Sequence, residues 1–328
     1  MRAGRRLLFT APRQVDVTAV DLPEPSAGQL LVRTLWSGIS TGTELLAFRG
    51  LVDPDLPLDE RIGSLGGTFR YPFSYGYSSV GVVEESRGAV PAGSLVFAFH
   101  PHQDWFVVAE ADTVLLAPPT DPRSATLLPL VETALQIALD AGPVAHEQVV
   151  VLGLGAVGVL TALLLQRCGA KVIAAEPIPD RREVAARLGV TAVAPDELAD
   201  RLPSHGVPLL VELSGAPGAL SDGLALLAHE GTALVASWYG VQPVSLPLGA
   251  AFHRRRLTIR STQVSTIPAW LTARWDVPRR RRAARDLLGE MPLSALPNTE
   301  IAFEDAASAY EALDRRSAGV LHVTLRYS

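Results

Sequence analysis

Residues 149–176 read VVVLGLGAVGVLTALLLQRCGAKVIAAE, and the order of parts in this stretch decides the fold. An apolar run, Val149 to Leu152, suits a buried strand. Gly153-Leu154-Gly155-Ala156-Val157-Gly158 follows, then a segment of helical period to Arg167. Cys168-Gly169-Ala170 closes the helix, a second apolar strand runs from Lys171 to Ala175, and Glu176 ends it. Each glycine has its own reason. Gly153 permits the tight turn, Gly155 lets backbone approach a pyrophosphate, and Gly158 lets the helix pack on the strand. The unpaired N–H groups of the helix start, at Ala156 and Val157, together with the helix dipole attract phosphates. Glu176, 18 residues past Gly158, stands where an acid hydrogen-bonds a ribose 2′-hydroxyl. Gly-rich turns are common, but strand, turn, helix, strand and terminal acid in this order specify a dinucleotide site. Val149 to Leu165 is 17 residues without a charge. A membrane span needs about 20, and three glycines early in the run break it, so the stretch reads as buried α/β core.

A chain of 328 residues, 48% hydrophobic and 19% charged, suggests about two domains with a sizeable core. The formal charge of −5 gives no electrostatic reason to expect nucleic acid. The basic run Arg279 to Arg282 sits in PRRRRAARDLLGEM, where Ala283, Leu287, Leu288 and Met291 have helical spacing. It reads as a solvated helix face, with contact to an anionic ligand or partner as the alternative. The one cysteine, Cys168, excludes an intrachain disulfide and any cysteine-built zinc site, and is expected to be a small packed residue. The N-terminus, MRAGRRLLFTAPRQ, has an apolar stretch of three residues, shorter than a signal-peptide core. A cytoplasmic protein with no membrane partner is the expectation.

The first hundred or so residues carry short alternating or apolar runs (Leu30 to Leu35, Ser79 to Val83, Ser94 to Phe99, Trp105 to Val108) between Pro and Gly punctuation, which predicts strands. From about Ala125 the period becomes helical, and Gly142-Pro143 stops it. Strands and helices then alternate over 149–152, 156–167, 171–175, 180–188, 191–194, 209–213, 217–228 and 232–237, the rhythm of a doubly wound parallel sheet. Leu257 to Ile259 adds a strand, and two helices and a final strand, His322 to Leu325, complete the chain.

This layout, with four local segments, resembles the medium-chain dehydrogenase/reductase superfamily. SGISTGTELLAFRG (37–50) is similar to the segment holding the first catalytic zinc cysteine of the zinc alcohol dehydrogenases, and YPFSYGYSSVGVV (71–83) to the segment holding the zinc histidine. LPLVETALQIALDAG (128–142) resembles the helix leading into the cofactor domain, and FEDAASAYEALDRRSAGVLHVTL (303–325) the C-terminal pattern. The resemblance implies an α/β protein with a GroES-like β-rich catalytic domain (1–132), a Rossmann doubly wound parallel-sheet cofactor domain (133–264), and a C-terminal segment (265–328) returning to the first. It also implies a homodimer through edge pairing of cofactor domains.

The departures are as telling. The positions of the three zinc ligands hold Ser40, Tyr77 and Pro129, and the glutamate after the histidine is Ser78. Hydroxyls are poor zinc ligands at neutral pH and proline offers none, so no catalytic zinc is expected. SGISTGTE with GYSSVG looks most like the zinc-lacking branch that includes bacteriochlorophyllide dehydrogenase. In the family a Ser or Thr hydroxyl starts the proton relay, and Thr43 falls there; one extra residue leaves Ser40 or Thr41 as alternatives, and a turn hydroxyl is the plainer role. Tyr77, replacing the zinc histidine, is expected to face the cleft, either holding a substrate oxygen or filling the vacated space. Glu44 is expected to be structural. His100-Pro101-His102-Gln103-Asp104 is a dense titratable cluster: a solvent-facing loop, or a proton shuttle at the cleft mouth through His102.

The resemblance also places Thr133 by the nicotinamide and Gln263 by its carboxamide. Ser214 and Ser237 follow strands whose carboxyl ends line the ligand crevice. Glu176 favours NAD over NADP because its charge repels a 2′-phosphate, and Arg181 is expected to pack near the adenine. The sequence thus reads as a zinc-independent oxidoreductase moving hydride between NAD(H) and a secondary alcohol or ketone of a small to medium polar metabolite. The alternatives are an enone or quinone C=C reductase and a non-catalytic dinucleotide-binding sensor or subunit.

Overall fold

The computed structural model describes residues 2–315 and 320–328. Part of the 303–325 segment, residues 316–319, lies outside the described residues. The chain forms two compact units, one of residues 1–129 and 285–328, the other of residues 130–284. Residues 265–284, expected to return with the C-terminal segment, group instead with the second unit.

The first unit is β-rich. Arg2–Ala11 and Gln14–Leu22 pair as an antiparallel ribbon, which the sequence reading did not identify because the opening residues are charge-rich. A larger sheet runs in the order Asn298–Ala302, His322–Arg326, Gln29–Ile39, Ser79–Ser86, Leu95–Ala98, Thr113–Leu115, and Trp105–Ala109 also pairs with Gln29–Ile39. Leu30, Val32, Val83, Val96, Ala98 and Phe106 form one core cluster of this sheet. A second cluster gathers Phe9, Phe48, Phe73 and Tyr310 around the helix Thr43–Arg49. There Phe9 stacks on Phe73 with centroids 5.1 Å apart and meets Tyr310 edge-on at 5.3 Å. Such ring pairs add roughly 0.5–1.5 kcal/mol beyond their burial. The helix stops at Gly50, whose left-handed φ of 70° suits a glycine C-cap.

The second unit is a six-stranded parallel sheet in the order Thr191–Val193, Lys171–Ala175, Gln148–Leu152, Val207–Glu212, Leu227–Val235, Thr258–Ser261. Numbered in chain order, the strands lie across the sheet as 3-2-1-4-5-6, so the strand order reverses between Gln148–Leu152 and Val207–Glu212. Ligands of open α/β sheets bind at such a reversal, outside the carboxyl ends of the strands. Val149, Val150 and Val151 are each fully buried. That explains the unbroken apolar run: helices cover both faces of a parallel sheet, so neither face demands polar residues. Burial of each valine contributes on the order of 1.5–3 kcal/mol. Helices Ala156–Arg167, Pro179–Arg187 and Pro217–Gly223 connect the strands. Helix Leu128–Ala141 lies in the stretch that precedes the first strand. Cys168, expected to be packed, is exposed at the helix end.

Candidate active site

The turn between strand Gln148–Leu152 and helix Ala156–Arg167 is fixed by contacts that only glycine allows. Gly153 has φ +93°, and a Cβ there would lie 2.6 Å from the Ser214 Cα. A Cβ on Gly158 would lie 2.1 Å from the Gly153 carbonyl oxygen. At Gly155 a Cβ would meet nothing within 4 Å. The first and third glycines therefore close the turn, while the second leaves its backbone open to an incoming group. Gly155 is the N-cap and provides no side-chain cap, so the first N–H groups of a 12-residue helix are left for an anion. Ala156 is buried, and Gly155 and Val157 are half-buried. A dinucleotide pyrophosphate fits this cradle.

Glu176, 2% exposed, ends the next strand. Its carboxylate accepts hydrogen bonds from Leu154 N at 2.8 Å and Ile178 N at 3.0 Å. It is thereby locked against the turn, and each oxygen keeps a second lone pair for a ribose hydroxyl. Arg181 Nη1 stands 4.0 Å from the same carboxylate. Ser214 donates its hydroxyl to the fully buried Glu212 at 2.5 Å, and Tyr239 donates to Glu212 at 2.7 Å. Burial, with Glu212 as partner, pushes the Tyr239 phenol up. Ser237 Oγ accepts from Gly215 N at 2.9 Å. These bonds tie the loops after the fourth and fifth strands together beside the glycine turn. Gln263 is exposed and Thr133 half-buried, both within the same unit.

In the first unit Ser40, Thr43 and Tyr77 come together. The Tyr77 phenol lies close enough to the Ser40 and Thr43 side chains for both to favour its ionised form. Burial foremost, then the Glu44 charge, pushes that phenol up to about 12, against the opposing influence of the Ser40 and Thr43 side chains. Ser78 donates to the Thr126 carbonyl at 2.6 Å. Among the described residues no group of three or more His, Cys, Asp or Glu could hold a metal ion.

Beneath the hydroxyls lies a network that the sequence reading did not assemble. Glu44 has no exposed surface. Its Oε1 accepts from Ser40 N at 2.8 Å, and its Oε2 faces His102 Nε2 at 2.9 Å and accepts from the Tyr310 hydroxyl. His102 Nδ1 lies 2.6 Å from Ser37 Oγ, which is 2.8 Å from the Tyr327 hydroxyl. His102, expected as a shuttle at the cleft mouth, is itself fully buried, sealed between a carboxylate and a serine. The solvent-loop reading of residues 100–104 fails as well. His100 stacks on Phe106 at 4.1 Å, and Asp104 takes Arg5 N at 2.7 Å and Arg5 Nε at 2.9 Å. Buried partners as far apart in sequence as Glu44 and Tyr310 leave no local signal, although a charge next to the apolar run of a short helix was one clue.

The profile of the zinc-binding dehydrogenase family matches residues 156–276. The chain is 29% identical over 324 residues to 2-desacetyl-2-hydroxyethyl bacteriochlorophyllide A dehydrogenase of Rhodobacter capsulatus, covering 93% of this chain and 92% of that protein. It is 24% identical over 335 residues to D-guloside 3-dehydrogenase of Escherichia coli K12, covering 93% and 95%. Among solved structures, a Sinorhizobium meliloti dehydrogenase bound to NADP superposes with TM-score 0.78 at 18% identity, over 99% of this chain and 100% of that one. An Escherichia coli alcohol dehydrogenase complexed with NADH gives 0.78 at 17%, over 99% and 100%. At these identities the two structures speak for the fold. The strand order and the three-glycine turn agree with these likenesses: the chain is similar to the zinc-binding dehydrogenases over residues 156–276, and over nearly its whole length to dehydrogenases of the alcohol dehydrogenase-like fold.

Proposed function

We propose that the protein is a zinc-independent, NAD(H)-linked oxidoreductase acting on a secondary alcohol, or its ketone, of a small to medium polar metabolite. The observation that carries this reading is the cluster of three hydroxyls: Ser40 and Tyr77, where the resemblance puts metal ligands, and Thr43, where it puts the first relay hydroxyl, with Ser40 and Thr43 close enough to shift the phenol of Tyr77. Hydroxyl donors suit a substrate oxygen and suit zinc poorly. When bound, NAD supplies the hydride acceptor and NADH the donor. Tyr77, held near 12, stays protonated at neutral pH and donates a hydrogen bond to a carbonyl oxygen. Ser40 and Thr43 flank the phenol, and half-buried Thr43 takes the proton of the substrate hydroxyl as it gives its own to solvent water. His102, enclosed by Glu44 and Ser37, takes no direct part in that transfer.

The preference for NAD rests on Glu176, whose charge opposes a 2′-phosphate, with Arg181 beside it as the counterweight. A homodimer is part of the same reading, with the outermost strand Thr258–Ser261 as the pairing edge. The test is steady-state ketone reduction by NADH in Tyr77→Phe and Thr43→Val. Tyr77→Phe should lower kcat about 100-fold with NADH affinity unchanged. Turnover within a few-fold of wild type in both variants would remove the assignment, and tighter binding of NADPH than NADH would overturn the cofactor preference.

A further inference from the structure

The run Arg279 to Arg282 looks in sequence like a solvated helix face, and Arg279 and Arg282 are exposed. Arg280 is not: it is 1% exposed. Its Nε and Nη2 donate to Glu132 Oε1 at 3.1 and 3.0 Å, its Nη1 to Gln136 Oε1, and its Nη2 also to the Val264 carbonyl. One guanidinium thus joins three segments of the second unit: helix Val277–Glu290, helix Leu128–Ala141, and the stretch after strand Thr258–Ser261. The contact continues down the same helix face. Gln136 Nε2 donates to Asp140 Oδ2 at 2.9 Å, and Thr262 Oγ1 donates to that same oxygen at 2.5 Å.

A buried ion pair is weak evidence for stability, because apolar residues of equal volume often serve as well. What the pair adds is direction. The guanidinium is a flat fork with fixed donor angles, and a lysine cannot reproduce it. Holding Glu132 toward Arg280 sets the rotation of its helix, and so the bearing of Thr133, about 100° further round. Holding the Val264 carbonyl sets the neighbouring Gln263.

We infer that Arg280 is a positioning residue for the nicotinamide end of the cofactor site, fixing Thr133 and Gln263 relative to each other. The inference rests on the proposed reading of those two residues as cofactor contacts. It explains why a fully charged pair is retained where an apolar pair would pack.

The test compares NADH with ADP-ribose, which shares the adenosine, the two phosphates and the second ribose but lacks the nicotinamide. Binding of both is titrated to wild type, Arg280→Lys, and the double variant Arg280→Met/Glu132→Met, each with a thermal melt. The double variant should melt near wild type, bind ADP-ribose within about twofold, and bind NADH about tenfold more weakly. Arg280→Lys, which keeps the charge and loses the fork, should split the two ligands in the same direction, and it carries the test if the double variant does not fold. Wild-type NADH affinity in these variants would overturn the inference, as would equal weakening of both ligands, the mark of a purely structural role. A wild-type protein that binds neither ligand would instead overturn the cofactor reading itself.

Discussion

The glycine turn at 153–158 and the carboxylate hub at Glu44 both hold polar groups inside apolar surroundings, one in each unit, yet they are made of different material. The turn is backbone. Its geometry follows from missing side chains at positions two and three residues apart, and its donors are the N–H groups of a helix start. The hub is side chain. Glu44, His102, Ser37, Tyr327 and Tyr310 are joined across 58, 65, 290 and 266 residues of sequence. A backbone site tolerates any side chain that points away and fails on one added methyl group. A side-chain site fails when one member leaves the others buried without partners.

The largest effect is expected from Gly158→Ala. The new Cβ would meet the Gly153 carbonyl at 2.1 Å, a backbone atom that cannot swing aside. The helix must lift off the turn, at a cost of about 1–3 kcal/mol for overpacking or more. Its N–H groups then leave the pyrophosphate position, and NADH affinity should fall on the order of 100-fold, the scale on which small displacements of positioned groups act. Titration of NADH by fluorescence reads this. Unchanged affinity would mean that the turn is not where the cofactor sits.

Much of this contrast could be read from the sequence. The spacing Gly153, Gly155, Gly158 and Glu176 is local, so the turn and its strands were legible residue by residue, and the parallel sheet followed from the alternation of elements. Ser40, Thr43 and Tyr77 were reached by resemblance. Glu44 as a hub was not, because its partners come from a distant loop and a distant helix. Arg280 was misread as surface, although a signal was present. Arg280, Ala284, Leu287 and Met291 are spaced by four, three and four, so this arginine lies in register with the apolar stripe of its own helix. Glu132 interrupts an apolar helix in the same way. A charge inside an apolar period, matched by an opposite one elsewhere, announces a buried pair; which two charges meet depends on the fold.

The hub can be broken from within. Glu44→Leu leaves His102 Nε2, the Tyr310 hydroxyl and Ser40 N buried without their shared acceptor. Leaving a buried donor without its acceptor costs roughly 1–3 kcal/mol for each group, and urea unfolding should show a loss of at least that size. Glu44→Gln keeps an acceptor for Ser40 N and should lose less. A loss below about 1 kcal/mol in Glu44→Leu, the scale of a single ordinary hydrogen bond, would mean that water replaces the carboxylate and that the network is not a unit.

The most gradual effect, spread over a pH range, separates the two units. His100 and His322 both belong to the first unit, and burial holds each of them down to about 4. Neither has a carboxylate partner: His100 Nδ1 faces the Pro101 carbonyl and its ring stacks on Phe106, while His322 Nε2 faces Thr126 Oγ1 at 3.0 Å. His102 nearby adds to the depression at His100. Both imidazoles are therefore neutral in the folded protein at pH values where an unfolded chain, with its ordinary histidines near 6.5, already binds protons. Protons taken up preferentially by the unfolded state lower stability. The stabilisation is complete above about 6.5 and is lost as the pH falls toward about 4, by up to about 3 kcal/mol for each histidine. Amide hydrogen exchange across that window should speed up first in strands such as Gln29–Ile39 and Ser79–Ser86, ahead of the parallel sheet. Replacing His322 with a neutral isostere such as Gln should remove about half of the acid sensitivity. Exchange that quickens equally in both units would show that these histidines do not set the acid response, and that the contrast between the units does not extend to their titration.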